Sequence, residues 1–117
     1  MTPDDAAEMR RLCDLIDRGV SALREAATEY AHAENAYRHA KARAWTLAPA
    51  GTVSERAAWV DGETADARLG RDLAEGQKVA AVEALRSRRA QLSAWQTAMT
   101  AERAEAEFAR TSPRSTP

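Results

Sequence analysis

The stretch Ala48-Pro49-Ala50-Gly51-Thr52-Val53-Ser54-Glu55 lies near the middle of the chain and decides its fold. Pro49 and Gly51 end a helix, because proline lacks an amide donor and glycine is a poor helix former. Thr52 followed by Glu55 matches a capping box, which opens a new helix. The stretch therefore predicts a turn over 48–52 and a second helix from Val53. A connection this short favours antiparallel neighbours.

The segment before the turn is predicted to be one helix over residues 4–47. Thr2 suits its cap, Pro3 fits its first turn, and Asp4 and Asp5 suit the positive end of the helix dipole. Alternate steps of three and four residues then meet an apolar residue or glycine each time, which is the pattern of a coiled-coil core rather than of a ligand site. This seam comprises Met9, Leu12, Ile16, Gly19, Leu23, Ala26, Tyr30, Ala33, Tyr37, Ala40, Ala44 and Leu47.

The second helix is predicted over residues 53–110, with a weaker apolar pattern. Two stripes follow one another with a shift of a few residues, which resembles a stutter in a coiled coil. Glycines in 62–76 indicate either bends, the first near Gly62, or places where the first helix packs very close. Residues 111–117 contain two prolines and two serines and are predicted to be disordered. The first stripe is Trp59, Leu69, Leu73, Gly76 and Ala80, and the second is Leu85, Leu92, Trp95 and Met99.

Composition supports an all-α fold with a thin core. Alanine, the best helix former, accounts for 28 of the 117 residues, whereas typical strand residues are scarce. We expect one domain over residues 1–110, a long antiparallel, coiled-coil-like helical hairpin that dimerises into a helical bundle. If paired residue numbers sum to about 100, the last dozen residues of the second helix overhang the first. Met99 and Phe108, with Trp95 at the base of the overhang, are then predicted to mediate self-association.

Charge is dense but balanced, with 17 basic and 18 acidic residues, which argues against a uniformly basic nucleic-acid binder. The densest basic cluster is predicted to meet two arginines from the open end of the first helix. Such a convergence would contact phosphates of DNA or a protein partner. The alternative is that Asp14, Asp17 and Glu83 neutralise it as surface ion pairs. The five arginines are Arg10, Arg11, Arg86, Arg88 and Arg89.

The sequence shows no clear pattern for catalysis, metal binding or membrane insertion. His32 and His39 are seven residues apart, whereas a zinc site needs three or four convergent ligands. Cys13 is the only cysteine and is predicted to be a buried, inert thiol. We therefore expect neither cofactor nor metal, and no enzymatic activity. The chain contains neither an 18-residue apolar run nor an amino-terminal secretory pattern, so we expect a soluble, intracellular protein without membrane contact.

The chain resembles small alanine-rich helical proteins of unassigned function from phages and prophages of actinobacteria. The resemblance extends from about Tyr30 to Pro113, and the turn with its capping box is its most specific part. It implies a bacterial host cytoplasm as the location, or alternatively the virion, and it implies no catalytic residues. The stretches that carry it are Tyr37-Arg38-His39-Ala40-Lys41-Ala42-Arg43-Ala44, Gly51-Thr52-Val53-Ser54-Glu55-Arg56, Leu85-Arg86-Ser87-Arg88-Arg89-Ala90-Gln91-Leu92-Ser93-Ala94-Trp95-Gln96-Thr97 and Ala104-Glu105-Ala106-Glu107-Phe108-Ala109-Arg110-Thr111.

Three functions are compatible with these features. The first is a non-enzymatic accessory protein that supports phage DNA replication or recombination by contacting a protein or DNA. The second is a structural or scaffold protein of the virion, in which helical rods pack side by side. The third is an inhibitor that offers a helix face to a bacterial enzyme.

Overall fold

The computed structural model describes residues 1–111 and shows a long hairpin of three helices. Helix α1 spans Pro3–Leu47, α2 spans Val53–Glu63 and α3 spans Ala65–Thr111. Helices contain 93% of the described residues, and the hairpin is about 86 Å long. The predicted all-α helical hairpin is therefore confirmed. Thr111, which was predicted to belong to the disordered tail, ends α3, and the remainder of that predicted tail, 112–117, lies outside the described residues.

Threonine caps begin both arms of the hairpin. The Thr2 hydroxyl accepts a bond from the Asp5 amide, and the Thr2 amide donates to the Asp5 carboxylate, both at 3.1 Å. Thr52 accepts from the Glu55 amide at 3.1 Å, but its hydroxyl rather than its amide contacts the Glu55 carboxylate. Between the arms, Pro49 forces the preceding Ala48 into an extended conformation, with φ −59° and ψ 135°. The helix therefore ends where the sequence predicts.

The α1 seam packs against α2 and α3 along almost its whole length. Eleven of its twelve predicted positions are buried or half-buried, and Leu12, Ala26, Tyr37 and Ala44 are the most deeply buried. Leu47 is the exception, with 66% of its surface exposed, because the helix ends there. The regular alternation of large and small side chains thus identified the buried face of α1.

The register between the arms differs from the prediction. A β-carbon added at Gly19 would lie 3.1 Å from Leu85 Cδ1, so paired residue numbers sum to about 104 rather than about 100. Thr2 lines a groove with Glu102, which fits the same sum. The extended connection carries the chain roughly one helical turn beyond Leu47 before α2 begins, because extended residues rise more per residue than helical ones. Met99 consequently lies beside α1 rather than in the overhang, and Trp95, predicted at the base of the overhang, also lies beside α1.

A break at Thr64 separates α2 from α3 and lies within the segment 62–76 in which the sequence predicts a bend. Thr64 is buried, with 2% of its surface exposed, and its hydroxyl donates to the Val60 carbonyl at 2.8 Å. The Thr64 amide donates to the same carbonyl at 3.0 Å, so the helical backbone pattern crosses the break. The Asp61 carbonyl accepts instead from the Arg68 guanidinium at 3.2 Å. The interruption is thus local, and the second arm continues as one rod.

The second arm meets α1 through a single continuous stripe, called here the inner seam. The predicted stutter is wrong, because Leu69 and Leu73 from the first predicted stripe are exposed. Leu85 and Leu92 lie on the opposite side of the same rod, so a rotation that turned Leu69 and Leu73 toward α1 would expose them. The seam of α1 is also continuous and therefore matches one continuous stripe on the second arm. Every inner-seam position is buried or half-buried: Val60, Thr64, Ala67, Arg71, Ala74, Lys78, Ala81, Leu85, Arg88, Leu92, Trp95 and Met99.

Candidate interaction surfaces

Basic side chains of the inner seam lie on aromatic rings of α1. The Arg71 guanidinium carbon is 4.4 Å from the centre of the Tyr37 ring, and Lys78 Nζ is 4.9 Å from that of Tyr30. Both distances permit cation–π attraction, and the aliphatic stems fill the space that an apolar side chain would occupy elsewhere. Arg71 also bonds Asp72 at 2.9 Å, which raises the pKa of Arg71. The middle of the hairpin is therefore held by cations over tyrosines.

A similar pair lies next to the turn. The Arg56 guanidinium carbon is 5.6 Å from the Trp45 ring centre, and its Nη2 donates to the Trp45 carbonyl at 3.0 Å. That carbonyl belongs to the last turn of α1, where backbone acceptors lack helical partners. Arg56 thus joins the two arms at their connected end. This role of Arg56 and the roles of Arg71 and Lys78 were not predicted from the sequence. A signal was present for the latter two, because Arg71 and Lys78 continue the seven-residue spacing of Leu85, Leu92 and Met99 toward the turn.

Large apolar side chains lie on the opposite side of α3 from the inner seam. We call this surface the outward face and define it as Ala65, Leu69, Leu73, Gly76 and Ala80, which share one side of the helix at steps of three and four. Leu69 is 57% and Leu73 61% exposed, and Val79 at the edge is 56% exposed. A β-carbon at Gly76 would meet nothing within 4 Å. Helix α3 therefore carries apolar residues on two opposite sides.

Glycines of the second arm do not mark close packing on α1. Added β-carbons at Gly62 and Gly70 would also have nothing within 4 Å, so the predicted close-packing alternative is wrong for all three. Close packing between the two arms occurs instead at Gly19, on α1. A shallow notch in the outward face at Gly76 follows from the missing side chain.

Acidic and basic residues of the segment 61–83 differ in their exposure. Its six acidic residues are all exposed, whereas its three basic residues are all half-buried. Arg71 and Lys78 turn to the tyrosines, and Arg68 turns back to the Asp61 carbonyl. By helical geometry, Asp66 and Asp72 flank Leu69 and Leu73 and border the outward face. The acidic residues are Asp61, Glu63, Asp66, Asp72, Glu75 and Glu83.

The structure does not bring the five predicted contact arginines onto one surface. Arg88 is half-buried in the inner seam, while helical geometry turns Arg10 away from it. Arg11 bonds Glu8 at 2.7 Å and Arg86 bonds Glu83 at 2.9 Å, each one turn along its own helix. The Arg11 bond lowers the pKa of Glu8. Arg89 is exposed and lines a small groove beside Leu23 and Arg86. Local ion pairs thus offset part of the positive charge, and the Glu83 pair was the alternative expected for Arg86.

The open end of the hairpin holds the three residues predicted for self-association in different settings. Trp95 and Met99 are half-buried against α1, and Met99 lines a groove of about 310 Å³ together with Met1, Asp5 and Arg103. Phe108 is 72% exposed on the part of α3 that extends beyond α1. The overhang therefore contains Phe108 as predicted, but not Met99.

Histidines and the cysteine remain separate from one another. His32 and His39 are exposed on α1, and Cys13 is half-buried as a free thiol rather than buried as predicted. Residues 1–111 contain no group of three or more His, Cys, Asp or Glu residues arranged to hold a metal ion.

Within the described helices, no segment has both the length and the apolar character needed to cross a membrane. Comparison of the chain with protein-family models, with curated proteins and with solved structures finds no match.

Proposed function

We propose that the protein is a non-enzymatic accessory protein that acts by contact with another protein, using the second arm of the hairpin as its contact surface. The sequence resemblance supports a phage or prophage origin, in which the partner belongs to DNA replication or recombination. A role of this kind needs a stiff element that presents side chains to a partner. A two-helix rod stabilised along one continuous seam has that property.

One observation carries the proposal: α3 exposes Leu69 and Leu73 directly opposite the face with which it packs on α1. Single exposed leucines are common on protein surfaces, but large apolar residues that recur on one helix face favour docking of a partner. The hairpin does not need this face for its own stability, because the inner seam already joins the arms. The apolar residues are therefore available for a partner.

Contact with a protein is favoured over contact with DNA by the distribution of charge. Arg11 and Arg86 are paired with carboxylates, and Arg88 lies partly inside the hairpin. Binding of a DNA backbone depends on several cations that neutralise phosphates together. The described arginines are spread over several sides of the rod, which weakens such a contact.

Site-specific photo-crosslinking in cells that produce the protein tests the proposal. A photoreactive phenylalanine derivative at position 73 is expected to give one or more discrete crosslinked species. Position 47 is the matched control, because Leu47 is similarly exposed but lies at the turn. A purified particle fraction and a cytoplasmic fraction, analysed separately, distinguish a virion role from an accessory role. Equal crosslinking at positions 73 and 47, or none at 73, would contradict the proposal.

A further inference from the structure

We propose that the outward face of α3 docks a basic amphipathic helix of a partner protein. This inference rests on the proposed contact function and specifies the chemistry of the partner. Three observations support it: the spacing of the exposed apolar residues, the open notch at Gly76 and the carboxylates of Asp66 and Asp72 that flank the leucines. Each points to a feature that the partner must have.

The spacing of the apolar residues fits another helix. Leu69, Leu73, Gly76 and Ala80 follow steps of four, three and four, so they form a straight stripe along the rod. Helices pack with ridges of side chains in such grooves, at interaxial distances of about 8–10 Å. A small residue between larger ones creates a hole for a knob from the facing helix. Gly76 provides that hole, because nothing lies within 4 Å of its missing β-carbon.

The charges specify a cationic partner. All six acidic residues of segment 61–83 are exposed, whereas its three basic residues are half-buried, so acidic residues outnumber basic residues by three in this segment. Asp66 and Asp72 lie nearest to the two leucines along the helix, and Asp72 uses only its Oδ1 in the bonds from Arg71. Lysine or arginine residues beside the apolar stripe of the partner would meet these carboxylates. This attraction accelerates association, whereas acidic partners are repelled.

A second copy of the same chain is a poorer occupant. Two outward faces placed together bring the acidic borders of both copies into proximity, and like charges across an interface are unfavourable. The apolar patch itself has few large side chains and covers on the order of 300 Å². Stable dimers commonly bury about 800 Å² per partner. The apolar area of the outward face is therefore small for a dimer interface. It suits a docking site in which attraction between opposite charges adds to the affinity that the apolar contact supplies.

Binding of designed peptides to the full-length protein tests the inference. The probe is a fluorescent 21-residue helix with leucines on one face and lysines on its borders, and anisotropy reports its binding at low and at physiological salt. One control peptide replaces each lysine by glutamate, and another has the same composition with the leucines scrambled. We expect at least tenfold tighter binding of the basic amphipathic peptide than of either control, weakened by added salt.

Variants locate the site. Leu69→Ser with Leu73→Ser is expected to weaken binding of the basic peptide at least tenfold. Asp66→Asn, which leaves the bond between Arg71 and Asp72 intact, is expected to weaken it several-fold and to flatten its salt dependence. Leu47→Ser with Val53→Ser changes two apolar residues at the turn that are at least as exposed as Leu69 and Leu73, and it is expected to leave binding unchanged. Helical circular dichroism verifies that each variant is folded. Gly76→Ala fills the notch and is expected to weaken binding of the basic peptide. Gly70→Ala is the matched control, because Gly70 lies outside the apolar stripe, and it is expected to leave binding unchanged.

Three results would overturn the inference. Equal binding of the lysine and glutamate peptides would show that charge does not select the partner. An equal loss of binding in the turn variant and in the Leu69→Ser, Leu73→Ser variant would show that the peptide does not bind at the outward face. A wild-type dimer in sedimentation velocity that dissociates on Leu69→Ser with Leu73→Ser assigns the face to a second copy. If position 73 crosslinks in cells while the basic peptide fails to bind, the contact function stands and only the partner class is wrong.

Discussion

The two sides of α3 contrast with each other in an unexpected way. The side that packs on α1 contains Arg71 and Lys78 in its middle, whereas the side that faces solvent contains Leu69 and Leu73. Hydropathy alone would assign these sides in the reverse order. The long side chains of arginine and lysine resolve the apparent conflict, because their stems pack as apolar material while their charged ends lie over tyrosine rings.

The contrast shows that continuity of a seam can outweigh local hydropathy. Leu85, Leu92 and Met99 fix which side of the rod meets α1 in the outer half of the hairpin. Lys78 and Arg71 lie one and two heptads before Leu85. In a straight rod they therefore share the side of Leu85 and must face α1. The exposed leucines are thus a consequence of a seam that extends through the whole rod, and they remain available for another role.

The largest expected effect separates a leucine of the inner seam from a leucine of the outward face. Leu85→Ala removes a buried side chain and is expected to lower the free energy of unfolding by about 2 kcal/mol or more. Leu73→Ala, at an exposed position, is expected to change it by less than about 0.5 kcal/mol. Urea denaturation followed by circular dichroism measures both. Equal losses for the two variants would mean that the outward face is buried in solution, and the comparison between the two sides would fail.

Glycine substitutions give a smaller effect of opposite sign. Gly76→Ala is expected to raise the free energy of unfolding by about 1 kcal/mol, since alanine is the better helix former and the added carbon meets open space. Gly19→Ala is expected to gain less, because its β-carbon would lie 3.1 Å from Leu85 Cδ1 and that side chain must shift. Thermal melts of the two variants, compared with Gly70→Ala as a second open position, measure the difference. A larger gain at Gly19 than at Gly76 would argue against the close approach of the arms at Gly19.

The smallest effect concerns the cations of the inner seam. A double-mutant cycle between Arg71→Leu and Tyr37→Leu is expected to give a coupling free energy of about 0.5–1 kcal/mol, because the guanidinium lies over the ring. The reference cycle between Arg86→Ala and Glu83→Ala, an exposed pair one turn apart, is expected to give about 0.5 kcal/mol or less. Unfolding in urea supplies all the values. A negligible coupling for Arg71 and Tyr37 would mean that the arginine contributes only its stem.

Much of α1 could be predicted from its residues, whereas the candidate interaction surface could not. The seam of α1 follows from alternating apolar and small residues, and eleven of twelve positions are buried or half-buried. The sequence places Leu69 and Leu73 in an apolar stripe of the second helix, but it does not reveal that they are exposed, because exposed and buried leucines look alike in a sequence. The arginines predicted to converge are spread apart, since Arg88 belongs to the seam and Arg10 faces away from it. Side-chain direction around a rod depends on which seam is continuous, and that is a property of the pair of helices.

The sequence by itself determined that this chain forms two helical arms around Pro49, with threonine caps at both starts and a heptad seam along the first arm. These features are local, because propensity, capping and the missing amide of proline act within a few residues. Only the tertiary structure decided the register of about 104, the burial of Arg71 and Lys78, and the exposure of Leu69 and Leu73. Those outcomes depend on which residues face each other across the hairpin, and neither arm specifies that alone.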